Sequence, residues 1–231
     1  DFAHEVAILS LWLAEHQMNV LFKKEFGTVP PALPLQDGAN IVHGNAIRAD
    51  WEEVCPKNDG DEIYILGNPP YLGFRNWSDE QKKDMNYVFT NKSSVKKLDY
   101  IACWFYLGGK YIRQSNAEFS FVSTNSIVQG EQVALLWPFL LDEFNLEIKY
   151  AYEPFKWTNN AKGNAGVTVV IVGVSNKSNK TKFLYKNNIK SEVNNINAYL
   201  SSAKEFYVTQ FTEPLSKLPK IDLGSAAYDG G

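Results

Sequence analysis

The stretch EIYILGNPPYLGF, residues 62–74, decides the fold. It begins with an apolar run whose length and composition are typical of a buried strand. The run stops at Asn68, which is followed by two consecutive prolines and Tyr71. Each proline fixes its own φ at about −65° and restricts the preceding residue to extended conformations. The stretch therefore predicts a strand whose carboxyl end leads into a rigid loop.

Strand-like and helix-like segments alternate around this stretch. Their alternation from residue 39 to about 145 favours an α/β fold with a mainly parallel sheet, and the later run of strands favours an antiparallel pair at one edge. Ligands bind such sheets at the carboxyl ends of strands, where residues 68–71 stand. Helices are predicted at 3–22, 78–89, 97–114 and 131–144, strands at 39–46, 61–68, 117–130 (running into a loop), 145–157, 167–175 and 181–187, and a short helix or turn at 193–202.

Two of the predicted helices carry local signals in their sequences. Ser78 and Gln81 have the spacing of a capping box at the start of helix 78–89. Pro138 lies inside helix 131–144 and is expected to kink it, because proline has no N–H and its ring collides with the preceding turn.

Composition and charge exclude several classes of protein. The 231 residues are 45% hydrophobic and 21% charged, which is typical of a globular domain, and no apolar run is long enough to span a membrane. The net charge of −3 gives no general attraction to nucleic acid, so DNA binding would need a local patch. Two cysteines without a CxxC pair, and three histidines far apart, argue against a metal site and fit a reducing cytoplasm.

The residues NPPY have a specific chemical capability. The rigid backbone can direct the Asn68 side-chain oxygen and the Pro69 carbonyl at one point, and two converging acceptors suit an NH₂ group with two donors. Tyr71 adds a flat face for a ring that carries this NH₂. The alternative is an ordinary turn that Asn68 caps. The buried strand before it and the aromatic residue after it favour a functional loop.

The sequence resembles a known family in this motif and in four further segments. GNPPY, residues 67–71, is similar to motif IV of amino-methyltransferases that use S-adenosylmethionine, chiefly N6-adenine DNA methyltransferases. The other segments resemble the MmeI-like branch of Type II restriction–modification enzymes. They are FAHEVAILSLWLAEHQMN (2–19), IVHGNAIRADWEEV (41–54), PFKWTNNAKGNAGVTVVIVG (154–173) and LSKLPKIDLGSAAYDGG (215–231).

The resemblance implies an enzyme that methylates the N6 amine of adenine in double-stranded DNA, with the target adenine flipped out of the duplex. Asn68, Pro69 and Pro70 would form the catalytic loop that holds the amine, and Tyr71 would stack on the base. The second wall of the base pocket would be Phe155, with Trp157 as its competitor; ordinary core packing remains the alternative for both.

The resemblance also implies a cofactor site and a fold. Asn45 and Ala46 would lie near the adenine of S-adenosylmethionine, although a simple Gly-Asn turn is the alternative for Asn45. The fold would be a class I, Rossmann-like methyltransferase fold that lacks its first one or two strands. Residues 1–212 would form the catalytic domain, and residues 213–231 a linker to a target-recognition domain.

Some features of the family pattern are expected outside these residues. The glycine-rich cofactor loop and the acidic residue that holds the ribose would precede residue 1, so the cofactor site is expected to be incomplete. The strand at 61–68 would then have a bare edge, and unpaired backbone is costly. We expect the chain either to associate with a second copy through this edge or to rearrange its first 50 residues.

Other assignments of the motif remain open. Protein-glutamine and RNA amino-methyltransferases also present an NH₂ group to NPPY, and the isolated chain could be catalytically inert. Near the motif, a group of lysines offers candidate contacts to the DNA backbone, with a solvated surface as the alternative. They are Lys82, Lys83, Lys92, Lys96 and Lys97. A second group, Lys156 and Lys162, lies in and beside segment 158–164.

Overall fold

The computed structural model describes residues 2–27, 41–90, 97–157 and 166–209. Five α-helices and six strands occur in these ranges. The helices are α1 (Phe2–Phe26), α2 (Trp51–Val54), α3 (Asp79–Val88), α4 (Ala102–Ile112) and α5 (Gly130–Pro138). The strands are β1 (Tyr64–Gly67), β2 (Glu118–Thr124), β3 (Leu146–Lys156), β4 (Thr168–Asn176), β5 (Lys182–Lys186) and β6 (Ile189–Val193).

The strands form one mixed sheet in the order β1-β2-β4-β3-β5-β6. β1 pairs with β2 in parallel, as β3 does with β5, whereas β4 is antiparallel to both of its neighbours. Strands β1, β2, β3 and β5 therefore share one direction, and β4 and β6 run the other way. The predicted α/β class is confirmed, and so is an antiparallel pair at one edge, which is the β5–β6 hairpin.

The core lies between one face of the sheet and helices α4 and α5. Phe105 of α4 is fully buried and contacts Phe119 and Phe121 of β2 with ring centroids 5.7 and 5.4 Å apart. Gly109 lets α4 pack closely against Leu140, since a Cβ added at Gly109 would stand 2.5 Å from the Leu140 side chain. This packing fixes the amino end of α4 beside the carboxyl end of β1.

Local signals correctly predicted the helix boundaries near the motif. The Ser78 hydroxyl accepts from the Gln81 N–H at 3.2 Å, and the Gln81 side chain accepts from the Ser78 N–H at 2.9 Å, so the capping box is confirmed. Helix α5 ends at Pro138 and continues as a single π-helical segment, Phe139–Glu143, rather than as a kinked α-helix.

The predicted strand at 39–46 is wrong for its described part. Residues 41–46 form no strand and pair with none of the six strands of the described sheet. Sequence patterns also missed the short helix α2 and the last strand, β6. In the hairpin before β6, Asn187 and Asn188 adopt φ of 48° and 64°, which two-residue turns between antiparallel strands require. Val193 ends β6, and residues 194–202 form bends and turns and no helix.

Candidate active site

The catalytic loop predicted from the sequence lies at the carboxyl end of β1. Parallel pairing with β2 runs up to Gly67, which stands opposite Phe121. Pro69 is buried and anchors the loop, while Asn68 on its amino side is exposed. Within the described part of the chain, no hydrogen bond engages the Asn68 amide. The loop thus holds its backbone in the protein and presents its amide to the solvent side.

Leu72, directly after the motif, is fixed by hydrogen bonds on both of its backbone groups. Its N–H donates to the Asp99 carboxylate at 2.8 Å. Its carbonyl accepts from the Tyr100 N–H and from the Trp77 indole N–H, each at 3.0 Å. Both ends of the loop are therefore anchored, one in the sheet and the other at the start of α4.

A cleft of about 900 Å³ opens beside the loop. Its lining includes Asn68 and Pro69 of the loop, Ala46, Trp104 of α4 and Phe121 of β2. Its lining combines backbone polar groups with aromatic and aliphatic side chains, a mixture that suits a ligand with a flat ring and polar ends. Its further lining residues include Leu11, Val42, Gly44, Trp51, Leu66 and Tyr111.

A buried carboxylate holds the turn that carries Ala46. Asp84 of α3 accepts hydrogen bonds from Asn45 at 3.1 Å, from Arg48 at 2.7 Å and from the Tyr100 hydroxyl at 2.7 Å. Burial opposes ionisation of Asp84, yet these three donors outweigh it and lower its pKa below the ordinary value. Burial and the neighbouring Asp84 charge raise the pKa of Tyr100 well above its usual range, so Tyr100 remains a hydrogen-bond donor.

The structure brings together some of the residues predicted for the site. Asn68, Pro69 and Ala46 line one cleft. Pro70 is exposed, and Tyr71 is half-buried against the core. Asn45 is next to the cleft in sequence, but its amide faces Asp84 and its oxygen accepts from the Ile47 N–H at 3.0 Å.

Phe155 and Trp157 lie farther along the same edge of the sheet. Phe155 is at the carboxyl end of β3, whose end meets the same edge as that of β1. Two strands separate β3 from β1, which at ordinary strand spacing is a distance of about 14 Å. Both aromatic side chains are half-buried. The segment 158–164 that follows them lies outside the described residues.

The predicted basic group is partly neutralised by carboxylates. Lys82 pairs with Asp79 at 2.9 Å, and Lys97 pairs with Glu131 at 2.9 Å. Lys83 and Lys156 are exposed. Lys92, Lys96 and Lys162 lie outside the described residues.

Sequence reasoning missed two residues that shape the site. Asp99 and Trp104 both fall within the segment 97–114, which its apolar pattern predicts as one helix. The helix begins only at Ala102, so Asp99 stands in the turn before it. An acidic residue at the start of an apolar helix is the one sequence signal that could have singled out Asp99.

The described residues contain neither a group of metal-binding side chains nor a membrane-spanning helix. In the ranges that the structure describes, no three His, Cys, Asp or Glu side chains are grouped so that they could hold a metal ion. No helix in those ranges is long and apolar enough to cross a membrane.

Comparisons with known proteins identify the family. The model of the MmeI DNA-methyltransferase domain matches residues 1–186. DNA methyltransferase A of Bacillus subtilis (strain 168) is 48% identical over 233 residues, which covers all of this chain and 26% of that protein. A structure of the Type IIL restriction–modification enzyme MmeI in complex with DNA is 38% identical with a TM-score of 0.84, and the match covers 94% of this chain and 30% of that one. The chain thus spans about a quarter to a third of the length of these relatives, and it belongs to the family of MmeI DNA-methyltransferase domains.

Proposed function

We propose that this chain is the catalytic part of a DNA methyltransferase within a restriction–modification enzyme, and that it methylates the N6 amine of adenine with S-adenosylmethionine. The observation that carries the proposal is the exposed Asn68 amide at the end of a loop anchored through Pro69 and Leu72. A relative named DNA methyltransferase A and the MmeI–DNA complex support DNA as the substrate.

The cleft beside the loop fits part of a cofactor site. Its volume of about 900 Å³ lies within the usual range of small-molecule sites, which is roughly 300–1,000 Å³. Ala46 and Trp104 would contact the adenine ring of the cofactor, and Asn68 and Pro69 would border the end at which the reaction occurs. S-adenosylmethionine supplies an activated methyl group when it is bound. The chain holds no glycine-rich loop of the family's type, so these residues form only part of the site.

Asn68 and Pro69 would position the target amine. The lone pair of the adenine N6 atom is delocalised into the ring, which makes the amine a poor nucleophile. The Asn68 side-chain oxygen and the Pro69 carbonyl would each accept one of its two N–H groups. These bonds favour a more tetrahedral nitrogen and offset the positive charge that develops on it. Because both acceptors are fixed in advance, no general base is needed.

Tyr71 would hold the ring of the flipped base. It lies four residues beyond the end of β1, and its side chain is half-buried and packs against the core. Phe155 would supply the second wall, with Trp157 as the competing residue. Phe155 in β3 and Trp157 directly after it stand at the same edge of the sheet as the carboxyl end of β1.

The test uses Asn68→Ala in the whole protein that carries this chain. Loss of a positioned transition-state hydrogen bond costs about 10²–10³ in rate, so methyl transfer to DNA should fall at least that far. Cofactor binding, followed by calorimetry, should stay close to that of the original protein. Asn76→Ala is the matched control, because Asn76 lies exposed in the turn after the loop and does not line the cleft.

Two results would contradict the proposal. Full activity of the Asn68→Ala protein would remove the role of the amide. Mass spectrometry of the methylated DNA tests the base, since N4-methylcytosine in place of N6-methyladenine would refute adenine as the target. Methylation of a protein glutamine or of RNA, with none of DNA, would favour the alternative substrates.

A further inference from the structure

Leu72 is the first residue after the motif whose backbone is held from both sides. Pro69 and Pro70 have no N–H, so they cannot anchor the loop by donating hydrogen bonds. The Leu72 N–H donates to Asp99 at 2.8 Å, and its carbonyl accepts from the Tyr100 N–H at 3.0 Å. Two consecutive residues at the start of α4 therefore hold the downstream end of the catalytic loop.

Tyr100 also holds, through Asp84, the turn that carries Ala46. The Tyr100 hydroxyl donates to Asp84 at 2.7 Å. Asp84 in turn accepts from Asn45 and from Arg48, which flank Ala46. One dipeptide thus connects the loop proposed to hold the amine with the turn proposed to border the cofactor.

The backbone of Asp99 is in turn held by Gln132 of α5. Its backbone N–H donates to the Gln132 side chain at 2.8 Å, and the Gln132 amide donates to the Lys97 carbonyl at 2.7 Å. Only 7% of Asp99 and 6% of Tyr100 is exposed. These bonds fix the backbone at Asp99, and its side chain is buried.

Capping of α4 is the structural alternative for Asp99. The Ile101 N–H lies 3.4 Å from the same carboxylate oxygen, a longer contact than the 2.8 Å bond from Leu72. Hydrogen bonds weaken with distance, so the carboxylate is directed mainly at the loop. We propose that Asp99–Tyr100 is a positioning element that sets the distance between the catalytic loop and the turn at residues 45–48. This role rests on the function proposed above.

The direct test is hydrogen exchange on this 231-residue chain, which requires no catalysis. The Leu72 amide should exchange at least about tenfold more slowly than the exposed loop amides, and Asp99→Leu should remove this protection. Asp99→Asn keeps an oxygen acceptor of the same reach and should retain most of it. Tyr100→Phe should instead speed exchange at the Ile47 amide, which the Asn45 side chain holds.

Asp61→Leu is the matched control. Asp61 also accepts a backbone N–H, that of Asn58 at 3.0 Å, but it lies away from the cleft. Its replacement should speed exchange at Asn58 and leave Leu72 unchanged. A Leu72 amide that exchanges freely in the unmodified chain refutes the proposal, even if the Asp99 variants fail to fold. Unchanged protection in folded Asp99→Leu refutes it as well.

Kinetics of the whole protein separate positioning from stability. Misplacement of a reacting group by about 1 Å costs roughly 10²-fold, so Asp99→Leu should lower kcat by about that factor. KM for DNA and for cofactor should change by less than about threefold, and Asp99→Asn should recover most of kcat. A rise in KM alone would contradict the role. Hydrogen exchange is measured without methyl transfer. Its result therefore tests this inference separately from the proposed function.

Discussion

At the scale of single residues, the carboxyl end of β1 combines the exposed Asn68 amide with a loop that is anchored at Pro69 and Leu72. The rigid loop at the end of this strand could be predicted from the sequence, because two prolines after an apolar run are a local signal. The orientation of Asn45 did not follow. Its amide faces Asp84, which lies 39 residues further along the chain, and no local pattern announces that contact.

Tyr71→Ala should weaken capture of the flipped base in the whole protein. Stacking of a base on an aromatic ring contributes about 1–3 kcal/mol, which corresponds to roughly 5- to 150-fold in the flipping equilibrium. Fluorescence of 2-aminopurine at the target position measures that equilibrium. Tyr71→Phe keeps the ring and should flip the base normally. Equal fluorescence changes in both variants would show that the ring does not stack.

Asp84 predicts a specific dependence of stability on pH. Its pKa is lower in the folded protein than the unfolded value of about 3.9, because its hydrogen bonds from Tyr100, Arg48 and Asn45 outweigh the effect of burial. A lowered carboxyl pKa stabilises the fold above the unfolded pKa, and this stabilisation is lost as pH falls through the folded pKa. The free energy of unfolding should therefore fall as the pH drops below about 4.

Urea unfolding at several pH values measures this term. In Asp84→Asn the dependence should be flatter over the same range, and stability near neutral pH should be lower by about 1.5–3 kcal/mol, the usual contribution of hydrogen bonds to a charged group. Asp79→Asn on the same helix is the control. Asp79 pairs with Lys82 at the surface, where solvent screens the interaction. An acid dependence as steep in Asp84→Asn as in the unmodified chain would contradict the assignment.

At the scale of elements, helices and strands were predicted correctly where the signal is local. Prediction failed where the element depends on a neighbouring strand that is distant in sequence. The capping box of α3 rests on neighbouring residues and was found. Residues 41–46 carry a strand-like sequence but have no strand beside them in the described sheet. A strand exists only through its hydrogen-bonded neighbour, which a sequence pattern cannot supply.

Close packing of α4 gives a prediction at this scale. A Cβ added at Gly109 would lie 2.5 Å from Leu140 and 3.1 Å from Phe144, both of which are buried. Overpacking of this kind costs about 1–3 kcal/mol, against a gain of up to about 1 kcal/mol from better helix propensity. Gly109→Ala should therefore destabilise the domain by about 1–2 kcal/mol in urea unfolding.

Gly108→Ala on the same helix is the internal control. Its Cβ would lie 3.2 Å from Phe119, a milder contact that a small ring movement relieves. The gain in helix propensity should then offset most of the cost. If Gly109→Ala is as stable as Gly108→Ala, α4 does not approach the π-helical segment as closely as the structure has it.

At the scale of the whole molecule, helices α4 and α5 pack on one face of the sheet, and no strand among the described residues pairs with the outer edge of β1. No residue of α1 is buried, and its exposed apolar side chains include Leu9, Leu13 and Phe22. On β1, Leu66 is 75% exposed. Apolar helices and free strand edges with this much exposure are typical of surfaces that another chain covers. The expectation of a bare edge at 61–68 agrees with this arrangement.

We therefore expect the isolated 231-residue chain to self-associate through the β1 edge. Light scattering should give a mass that rises with concentration from that of the 26.1 kDa monomer. Leu66→Lys places a charge on the bare edge, which is how natural proteins block pairing between strands, and it should shift the mass toward the monomer. Ile189→Lys makes the same change on β6 at the opposite edge, where Ile189 is 66% exposed, and should have little effect. A compact monomer at every concentration, or an equal response of the two variants, would refute pairing through β1.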